Sequence, residues 1–485
     1  MAVLSELNPK DVFAYFEKLC AVPHGSGNTK QISDLCVGFA KELGLACRQD
    51  AANNVVIWKP ASPGYENAAP VILQGHLDMV CAKERGCSKD MAAEGLDLKT
   101  DGEWVWADRT SLGGDNCIAV AMALAVLADG SLPHPPLEAV FTTEEEVGMD
   151  GAMALDCSDL KGRQLLNLDS EEEGIFTVCC AGGLRADCIL PGTLEPADGA
   201  AGFAVTLSGL QGGHSGQDID KGRGSANQLM VRTLFNAMER IPGLRLTDIR
   251  GGRFDNVICP QNDAIVTVPA ERSEDFQTFI REFDGVLKNE YAGCDEGVSL
   301  SCAPAAAERA LSAKATSDAL HTLLALPQGV QAMSVDFPGM VQTSLNLGLI
   351  ALEQDGLHFS FSIRSSIASQ KEMLFQRIRA IVEFGGGTVS QRSSYPGWQY
   401  VRNSAARERL LAAYRDLSGQ EGVVMGTHGG LECGLFIEKI PGLDAVSFGP
   451  ELHDVHSPRE RLSVPSTARV YELVCEFLKR SNVCQ

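Results

Sequence analysis

Short apolar runs alternate with helical patterns over roughly the first third of the chain. Apolar residues spaced three and four apart predict helices over 12–20 and 32–43, and a continuous apolar stretch predicts a third helix over 117–128. Brief apolar runs bounded by turn residues are typical of buried parallel strands. They occupy positions 55–57, 71–73, 137–143 and 165–168. This alternation predicts an α/β domain whose central sheet is mostly parallel and flanked by helices.

The pattern of predicted helices and strands changes after about residue 187. Glycine and proline then punctuate alternating strands, predicted at 203–207 and 359–363, and amphipathic helices such as 226–238. The α/β pattern resumes near 404–417. Because 485 residues exceed what one hydrophobic core holds, we predict a main domain over 1–187 and 397–485, interrupted by an inserted α+β domain over 188–396.

Four apolar runs of the main domain, the fourth at 445–448, end at or near acids and histidines. In open parallel sheets, ligands bind beyond the carboxyl ends of the strands. We therefore expect these side chains to converge in one crevice, although they are far apart in sequence. They are His76 and Asp78, Glu144 to Glu146, Asp169, and His453 and His456.

Taken singly, each of these residues has an ordinary structural explanation. His76 could be a hydrogen-bonded core histidine, Asp115 a helix cap, and Asp169 a solvated loop acid. Taken together, acids at the ends of buried strands would repel one another unless cations neutralised them. Histidine nitrogen with carboxylate oxygen, and no thiolate, suits zinc, with cobalt or manganese as substitutes. Five ligands that include one bridging carboxylate suit two ions.

Composition limits the kinds of binding partner and the cell compartment that we expect for this protein. A formal net charge of −22 argues against a nucleic acid or an anionic membrane surface, because both need a basic face. The longest apolar stretch, 117–128, is about half a membrane span, and no secretory signal is visible at the N-terminus. The 16 cysteines lack a CxxC pair, which fits reduced thiols. We expect a cytoplasmic protein.

Five motifs resemble a known family, the co-catalytic dinuclear-zinc peptidases and amidohydrolases related to aminoacylase-1 and the carnosinases. The motifs are Gly75-His76-Leu77-Asp78, Gly114-Asp115-Asn116, Glu145-Glu146-Val147-Gly148, Asp169-Ser170-Glu171 and His456-Ser457-Pro458. The resemblance implies that Asp115 bridges two zinc ions. His76 and Asp169 would complete one site, and Glu146 and His456 the other.

The resemblance also assigns two catalytic roles. Asp78 would accept a hydrogen bond from the distal nitrogen of His76 and fix its orientation. Glu145 would be the general base, because a carboxylate beside a ligand carboxylate can take a proton from the attacking water and pass it to the leaving amine. Because three glutamates follow one another, the match between this sequence and the family's Glu-Glu pair could shift by one residue. The segment that follows, Val-Gly-Met-Asp-Gly-Ala, matches the family with the pair at Glu145 and Glu146 and leaves Glu144 without a role.

In this family the inserted domain acts as a lid that binds substrate. His214, within Gly-Gly-His-Ser-Gly, matches the histidine that polarises the scissile carbonyl. Asn256 and Arg364 match positions that hold the substrate backbone and carboxylate, and the planar fork of arginine suits a carboxylate. Without the family, His214 could equally belong to a plain turn and Arg364 to a surface salt bridge.

Longer motifs resemble the subgroup of bacterial dipeptidases that act on aminoacyl-histidine and other dipeptides. The resemblance implies a homodimeric metallo-dipeptidase with two zinc ions per chain, acting on Xaa-His, carnosine-like and broader dipeptides. An amidohydrolase of N-acyl amino acids would use the same metal site and stays open as the alternative. A metal-dependent binding protein or an inactive relative is an alternative of another class. Such a protein would need metal ligands but no general base. Glu145, the residue that would be this base, is present beside Glu146.

Overall fold

The computed structural model describes residues 3–482. It divides into two compact units, the first formed by residues 3–179, 400–426 and 431–482 and the second by residues 180–399 and 427–430. These ranges differ from the sequence-based division at both boundaries, most clearly in the assignment of 427–430 to the second unit. The division into 1–187, 188–396 and 397–485 stays a prediction about domains.

The predicted helices and strands of the first segment are present, with small shifts at their ends. In chain order its elements are α1 (Lys10–Cys20), α2 (Lys30–Glu42), β1 (Ala46–Gln49), β2 (Val55–Lys59), β3 (Val71–His76), β4 (Leu98–Thr100), β5 (Trp104–Ala107), α3 (Gly114–Ala128), β6 (Leu137–Thr142), α4 (Asp150–Ala154), β7 (Gln164–Asn167) and β8 (Ile175–Cys180). Side chains of α3 from Asn116 to Leu127 are buried, as a helix that is apolar on every face requires.

The second unit is built on one large antiparallel sheet. Its elements are β9 (Gly182–Pro191), β10 (Leu194–Pro196), β11 (Ala200–Ser208), β12 (Gly213–His214), α5 (Ala226–Arg240), β13 (Arg245–Gly251), β14 (Val257–Ile258), β15 (Asn262–Pro269), α6 (Ser273–Glu290), β16 (Ser299–Pro304), β17 (Arg309–Leu311), α7 (Ala313–Ala325), β18 (Gly329–Met333), β19 (Val341–Glu353), β20 (Gly356–Ser365), α8 (Ala368–Phe384) and β21 (Thr388–Tyr395). The sheet runs β16-β11-β15-β13-β19-β20-β9-β21, with β18 paired to β19. Its apolar side chains and those of α5 to α8 form one buried cluster.

The last segment returns to the first unit and adds strands to its sheet. Its elements are α9 (Ala405–Ser418), β22 (Val423–Thr427), α10 (Cys433–Lys439), β23 (Asp444–Ser447), β24 (Leu452–His453), β25 (Arg461–Ser463) and α11 (Val464–Lys479). The main sheet runs β1-β2-β6-β3-β7-β23-β8-β22. The four central strands, β6, β3, β7 and β23, are parallel to one another. Strands β1 and β2 pair antiparallel beside β6, and β8 pairs antiparallel beside β23. The predicted α/β fold class is confirmed, and the sheet is mixed.

The register of the central strands determines where the polar side chains emerge. Gln74 on β3 lies opposite Val140 on β6 and Asn167 on β7, so β3, β6 and β7 end at the same edge of the sheet. A second, four-stranded sheet, β24-β25-β5-β4, carries the loop that contains His456. The predicted metal ligands of the first unit thus lie at or just after strand ends, in the loop before β25, or, for Asp115, at the start of α3.

Two expectations from composition concern the whole described chain. None of the 15 cysteines among residues 3–482 belongs to a disulfide. Within the same range, no helix combines the length and the apolar character that a membrane crossing needs.

Candidate metal centre and substrate-binding residues

His76 is a buried residue at the carboxyl end of β3, and its hydrogen bonds define its tautomer. Its Nδ1 lies 3.0 Å from the backbone oxygen of Asp78, which can only accept a hydrogen bond. Nδ1 therefore carries the proton, and in the neutral ring Nε2 presents a lone pair. That lone pair faces two carboxylates, because Nε2 lies 3.1 Å from Asp115 Oδ1 and 3.5 Å from Asp169 Oδ1.

Asp115 lies between two histidines. Its Oδ1 faces Nε2 of His76 and its Oδ2 faces Nε2 of His456, each at 3.1 Å. Although Asp115 lies within the range of α3, its backbone dihedrals are not helical. Burial opposes ionisation of Asp115, but the two histidines lower the pKa of its carboxyl below the usual value. Each oxygen of this carboxylate is thus directed at a different nitrogen ligand.

Glu146 and His456 form the second half of the cluster. Glu146 Oε1 lies 3.0 Å from His456 Nε2, within the distance of an ion pair. The imidazole of His456 is 47% exposed, whereas that of His76 is 1% exposed. Hydrogen bonds to Asp115 and Glu146 raise the pKa of His456 to about 11. One potential ligand atom from each of His76, Asp115 and Glu146 lies within 4.8 Å of the other two.

The chemistry of this cluster fits divalent cations. Carboxylate oxygens of Asp115, Glu146 and Asp169 face imidazole nitrogens of His76 and His456 at 3.0 to 3.5 Å. Neutral imidazole nitrogen and carboxylate oxygen are both lone-pair donors, so positive charge must lie between them, either as protons or as metal ions. Oxygen and nitrogen donors without thiolate suit zinc, cobalt or manganese.

The carboxylate of Asp78 faces the ring of His76 and also the backbone of two glutamates. His76 Nδ1 is 3.5 Å from Asp78 Oδ1, farther than from the backbone oxygen of the same residue. The carboxylate also accepts the backbone N–H groups of Glu145 at 3.0 Å and Glu146 at 3.3 Å, and the hydroxyl of Ser26 at 2.8 Å. The role of Asp78 in orienting His76 stays a prediction, and the backbone contacts were not part of it.

The three consecutive glutamates have distinct environments. Glu144 accepts hydrogen bonds from the backbone of Gly27 at 2.7 Å and the hydroxyl of Thr29 at 3.3 Å. Burial raises the pKa of Glu145 well above its usual range, and the nearby carboxylates of Asp169, Glu432 and Asp115 add to this effect. A carboxyl whose pKa is raised toward neutrality suits a general base. Glu144 is thus engaged by other groups, and the register that pairs Glu145 with Glu146 stays a prediction.

Glu432 is a buried carboxylate to which the sequence analysis assigned no role. Its Oε2 accepts hydrogen bonds from Gln74 Nε2 at 2.5 Å and Thr142 Oγ1 at 2.7 Å. Gln74 in turn accepts a hydrogen bond from Asn167, so the network links β3, β6 and β7 just before the predicted ligands. Burial raises the pKa of Glu432 to about 7.

His214 belongs to the second unit, on the short strand β12. Its Nδ1 accepts the backbone N–H groups of Gly216 and Gln217, each at 3.2 Å. Burial lowers the pKa of His214, and the positive charge of Arg364 lowers it further. The ring is therefore neutral near pH 7, with its proton on Nε2, where it can donate a hydrogen bond to a carbonyl oxygen.

Arg364 and Asn256 lie near His214 in the same unit. Arg364 is 5% exposed, its Nε has no hydrogen-bond partner among the described residues, and its terminal nitrogens make contacts of 3.4 Å with Tyr395 and His214. Asp255, the acid that acts on it electrostatically, is paired with other arginines. The backbone oxygen of Asn256 accepts the N–H of Ser215. A buried guanidinium without its own carboxylate suits an anionic ligand.

Comparison with known proteins identifies the family. Residues 72–480 match the family described as Peptidase family M20/M25/M40. The chain belongs to this family. The resemblance predicted from the five motifs is thereby confirmed, and the M20/M25/M40 chain is a peptidase, hence a hydrolase.

Individual relatives of this M20/M25/M40 peptidase cover nearly its whole length. It is 38% identical over 482 residues to the cytosol non-specific dipeptidase of Escherichia coli (strain K12), with 99% of each chain covered. Its structure is similar to that of aminoacylhistidine dipeptidase from Vibrio alginolyticus, with a TM-score of 0.91, 35% identity and 98% of each chain covered. Aminopeptidase PepT from Bacillus cereus shares the fold, with a TM-score of 0.58, 15% identity and coverage of 98% and 99%.

Proposed function

We propose that this peptidase is a metal-dependent dipeptidase with a dinuclear centre. His76 and Asp169 would hold one ion, Glu146 and His456 the other, and Asp115 would bridge them. One observation carries the proposal: the two oxygens of Asp115 each face a different histidine nitrogen at 3.1 Å. The oxygen and nitrogen donors favour zinc as the resident ion, with cobalt or manganese as substitutes.

Bound divalent cations would lower the pKa of a water molecule and polarise the scissile carbonyl. Glu145 then acts as the general base, accepting a proton from the attacking water and donating it to the nitrogen of the leaving amine. Burial raises the pKa of this carboxyl, which favours the protonated form that would pass the proton on. Asp78 holds the backbone of Glu145 and Glu146, which keeps the base beside the ligand.

The second unit would supply substrate-binding groups, as a lid domain of the family does. Arg364 is suited to the terminal carboxylate of a dipeptide, because it is buried and lacks a carboxylate partner of its own. His214 would donate its Nε2–H to the scissile carbonyl, since backbone donors occupy Nδ1. Asn256, next to the strand that carries His214, would hold the substrate backbone.

Dipeptides are the substrate class indicated by the two relatives that match over nearly the full length of the chain. Their printed names describe a non-specific dipeptidase and an aminoacylhistidine dipeptidase. The proposed substrates are therefore Xaa-His, carnosine-like and broader dipeptides. The amidohydrolase alternative is not favoured, because neither relative is named for acylated amino acids. The proposal also includes a homodimer located in the cytoplasm, in line with the cytosol named for the Escherichia coli relative.

A substrate panel tests the proposal. The purified protein is stripped with a chelator, reloaded with zinc, cobalt or manganese, and assayed on free dipeptides, their N-acetylated forms and tripeptides. We expect activity to need added metal and to be highest on free dipeptides. Activity on N-acetylated dipeptides that exceeds activity on free dipeptides would overturn the dipeptidase proposal, and full activity in the stripped protein would overturn the metal-dependent one.

A further inference from the structure

Glu460 is a buried carboxylate four residues beyond His456, and the mechanism above does not use it. It is 2% exposed. Its Oε2 accepts the backbone N–H groups of Leu112 at 2.7 Å and Gly113 at 3.2 Å. Its Oε1 accepts those of Gly114 at 2.8 Å and Asp115 at 3.3 Å. One carboxylate therefore binds four consecutive backbone donors, and the last donor belongs to the proposed bridging ligand.

The loop before α3 has the shape that this contact requires. Gly113 adopts φ = 65°, a conformation that favours glycine. A Cβ atom at Gly114 would approach Leu452 to 2.7 Å and Glu460 Oε1 to 3.2 Å. The two glycines thus allow four N–H groups to converge on one carboxylate, an arrangement that suits negative charge.

The same carboxylate also fixes the loop that contains His456. This loop leaves β24 at His453 and returns to the sheet at β25, which begins at Arg461. His456 has φ = 59°, and its imidazole is 47% exposed. The Glu460 side chain ties the end of the loop to the buried segment 112–115. In contrast, His76 is the last residue of β3 and is buried, so its position depends much less on this contact.

We infer that Glu460 is a positioning residue that joins the Asp115 loop to the His456 loop and thereby sets the affinity of the ion held by Glu146 and His456. The inference rests on the proposed dinuclear centre. The ion held by His76 and Asp169 depends on two strand ends and should be affected less. Residues that orient metal ligands typically change metal affinity or activity by roughly 10- to 100-fold when replaced.

Glu138 provides a matched control. It is 3% exposed, and it accepts the backbone N–H groups of Lys161 and Gly162 at 2.9 Å. It lies near the start of β6, at the opposite end of the strand from Glu145 and Glu146. Glu138→Gln and Glu460→Gln therefore make the same chemical change, in which one carboxylate oxygen facing backbone donors becomes an amide NH₂. Only the second change involves a loop that carries a proposed ligand.

Zinc content measured over a series of metal-buffered solutions tests the inference. We expect two ions per chain in the unaltered protein and in Glu138→Gln, with unchanged affinities. In Glu460→Gln, one of the two ions should lose roughly 10- to 100-fold in affinity while the other changes little. Dipeptidase activity of this variant at limiting zinc should fall and should recover at excess zinc. Unchanged affinities in Glu460→Gln, or equal loss in both variants, would overturn the inference.

Amide hydrogen exchange on the metal-free proteins gives a readout that is independent of catalysis. Exchange at 112–115 should speed up in Glu460→Gln and stay unchanged in Glu138→Gln, and unaltered protection in the first variant would contradict the link. If Glu460→Gln does not fold, Glu460→Asp, which keeps the charge but shortens the side chain, is measured in the same way. Fewer than two zinc ions in the unaltered protein would refute the dinuclear proposal and the affinity part of this inference, whereas the exchange result tests the loop contact itself.

Discussion

The carboxylate of Asp78 holds the backbone of Glu145, because Asp78 Oδ1 accepts the Glu145 N–H at 3.0 Å. Asp78 Oδ2 accepts the N–H of Glu146 and the hydroxyl of Ser26. The segment after β3 thus fixes the segment after β6, where the proposed base and a proposed metal ligand are neighbours. We therefore expect Asp78 to act on catalysis through these two residues as well as through His76.

Replacing Asp78 by Asn should lower kcat by roughly 10- to 100-fold, the usual scale for residues that orient metal ligands. One carboxylate oxygen would become an NH₂ group that faces N–H donors, so the backbone of Glu145 and Glu146 would shift. Steady-state kinetics on a dipeptide, together with zinc analysis, measure the effect. Ser26→Ala removes only the hydroxyl donor and should have a much smaller effect. Equal activities of Asp78→Asn and the unaltered enzyme would show that the backbone contacts are not needed.

The neighbouring glutamates allow a test of register. Glu145→Gln should lower kcat by roughly a hundredfold or more, the scale of general acid–base catalysis, without loss of zinc. Glu144→Gln is the matched control, because Glu144 is engaged by Gly27 and Thr29, and it should keep most of the activity. The reverse result, with Glu144→Gln inactive and Glu145→Gln active, would move the base by one residue.

The strands of the first unit that were predicted from the sequence are those whose side chains are buried on both faces of the sheet. Strands such as β3 and β7 are buried on both faces, so their apolar runs stand out, and the residues after them meet at one edge of the sheet. The antiparallel pairing of β2 with β6 was not predictable in this way. Apolar periodicity indicates that a strand exists and which face is buried, but not which neighbour it pairs with or in which direction.

The parts of the site that the sequence missed are carboxylates bound mainly to backbone groups or to buried polar side chains. Glu460 binds four backbone N–H groups, and Glu432 binds Gln74 and Thr142. Backbone donors have no sequence signature, because every residue except proline carries one. The backbone contacts of the Asp78 carboxylate were missed for the same reason, because its donors at Glu145 and Glu146 are backbone amides.

Glu432 should make the stability of the metal-free protein depend on pH. Burial raises the pKa of this carboxyl from 4.5 to about 7, so the folded state binds more protons than the unfolded state between these pH values. The contribution of Glu432 to stability is then greatest below pH 4.5 and falls as the pH rises to 7. Glutamine does not ionise, so Glu432→Gln should gain up to roughly 3 kcal/mol relative to the unaltered protein across this window. Urea unfolding of both metal-free proteins from pH 4.5 to 7.5 measures this difference, and a constant difference would contradict it.

Arg364 leads to an expectation about the length and the ending of the substrate. Its guanidinium is buried, and Asp255, an acid that acts on it electrostatically, is already engaged by Arg185 and Arg392. A substrate carboxylate would therefore be its first full ion pair. If Arg364 binds that carboxylate, only one residue should separate it from the scissile bond, so free dipeptides should be cleaved faster than tripeptides and than C-terminally amidated dipeptides.

The preference of the unaltered enzyme for a free over an amidated dipeptide should be large. Losing one partner of a buried charged pair typically costs about 2–5 kcal/mol, which is roughly a thirtyfold to several-thousandfold loss in kcat/KM. Arg364→Ala should erase most of the preference, chiefly by weakening the free dipeptide. Arg392→Ala is the control, since Arg392 is about half exposed and paired with Asp187 and Asp255, and it should leave most of the preference in place. Equal kcat/KM for free and amidated dipeptides in the unaltered enzyme would rule out Arg364 as the carboxylate anchor, because a buried guanidinium in that role must distinguish an anion from a neutral amide.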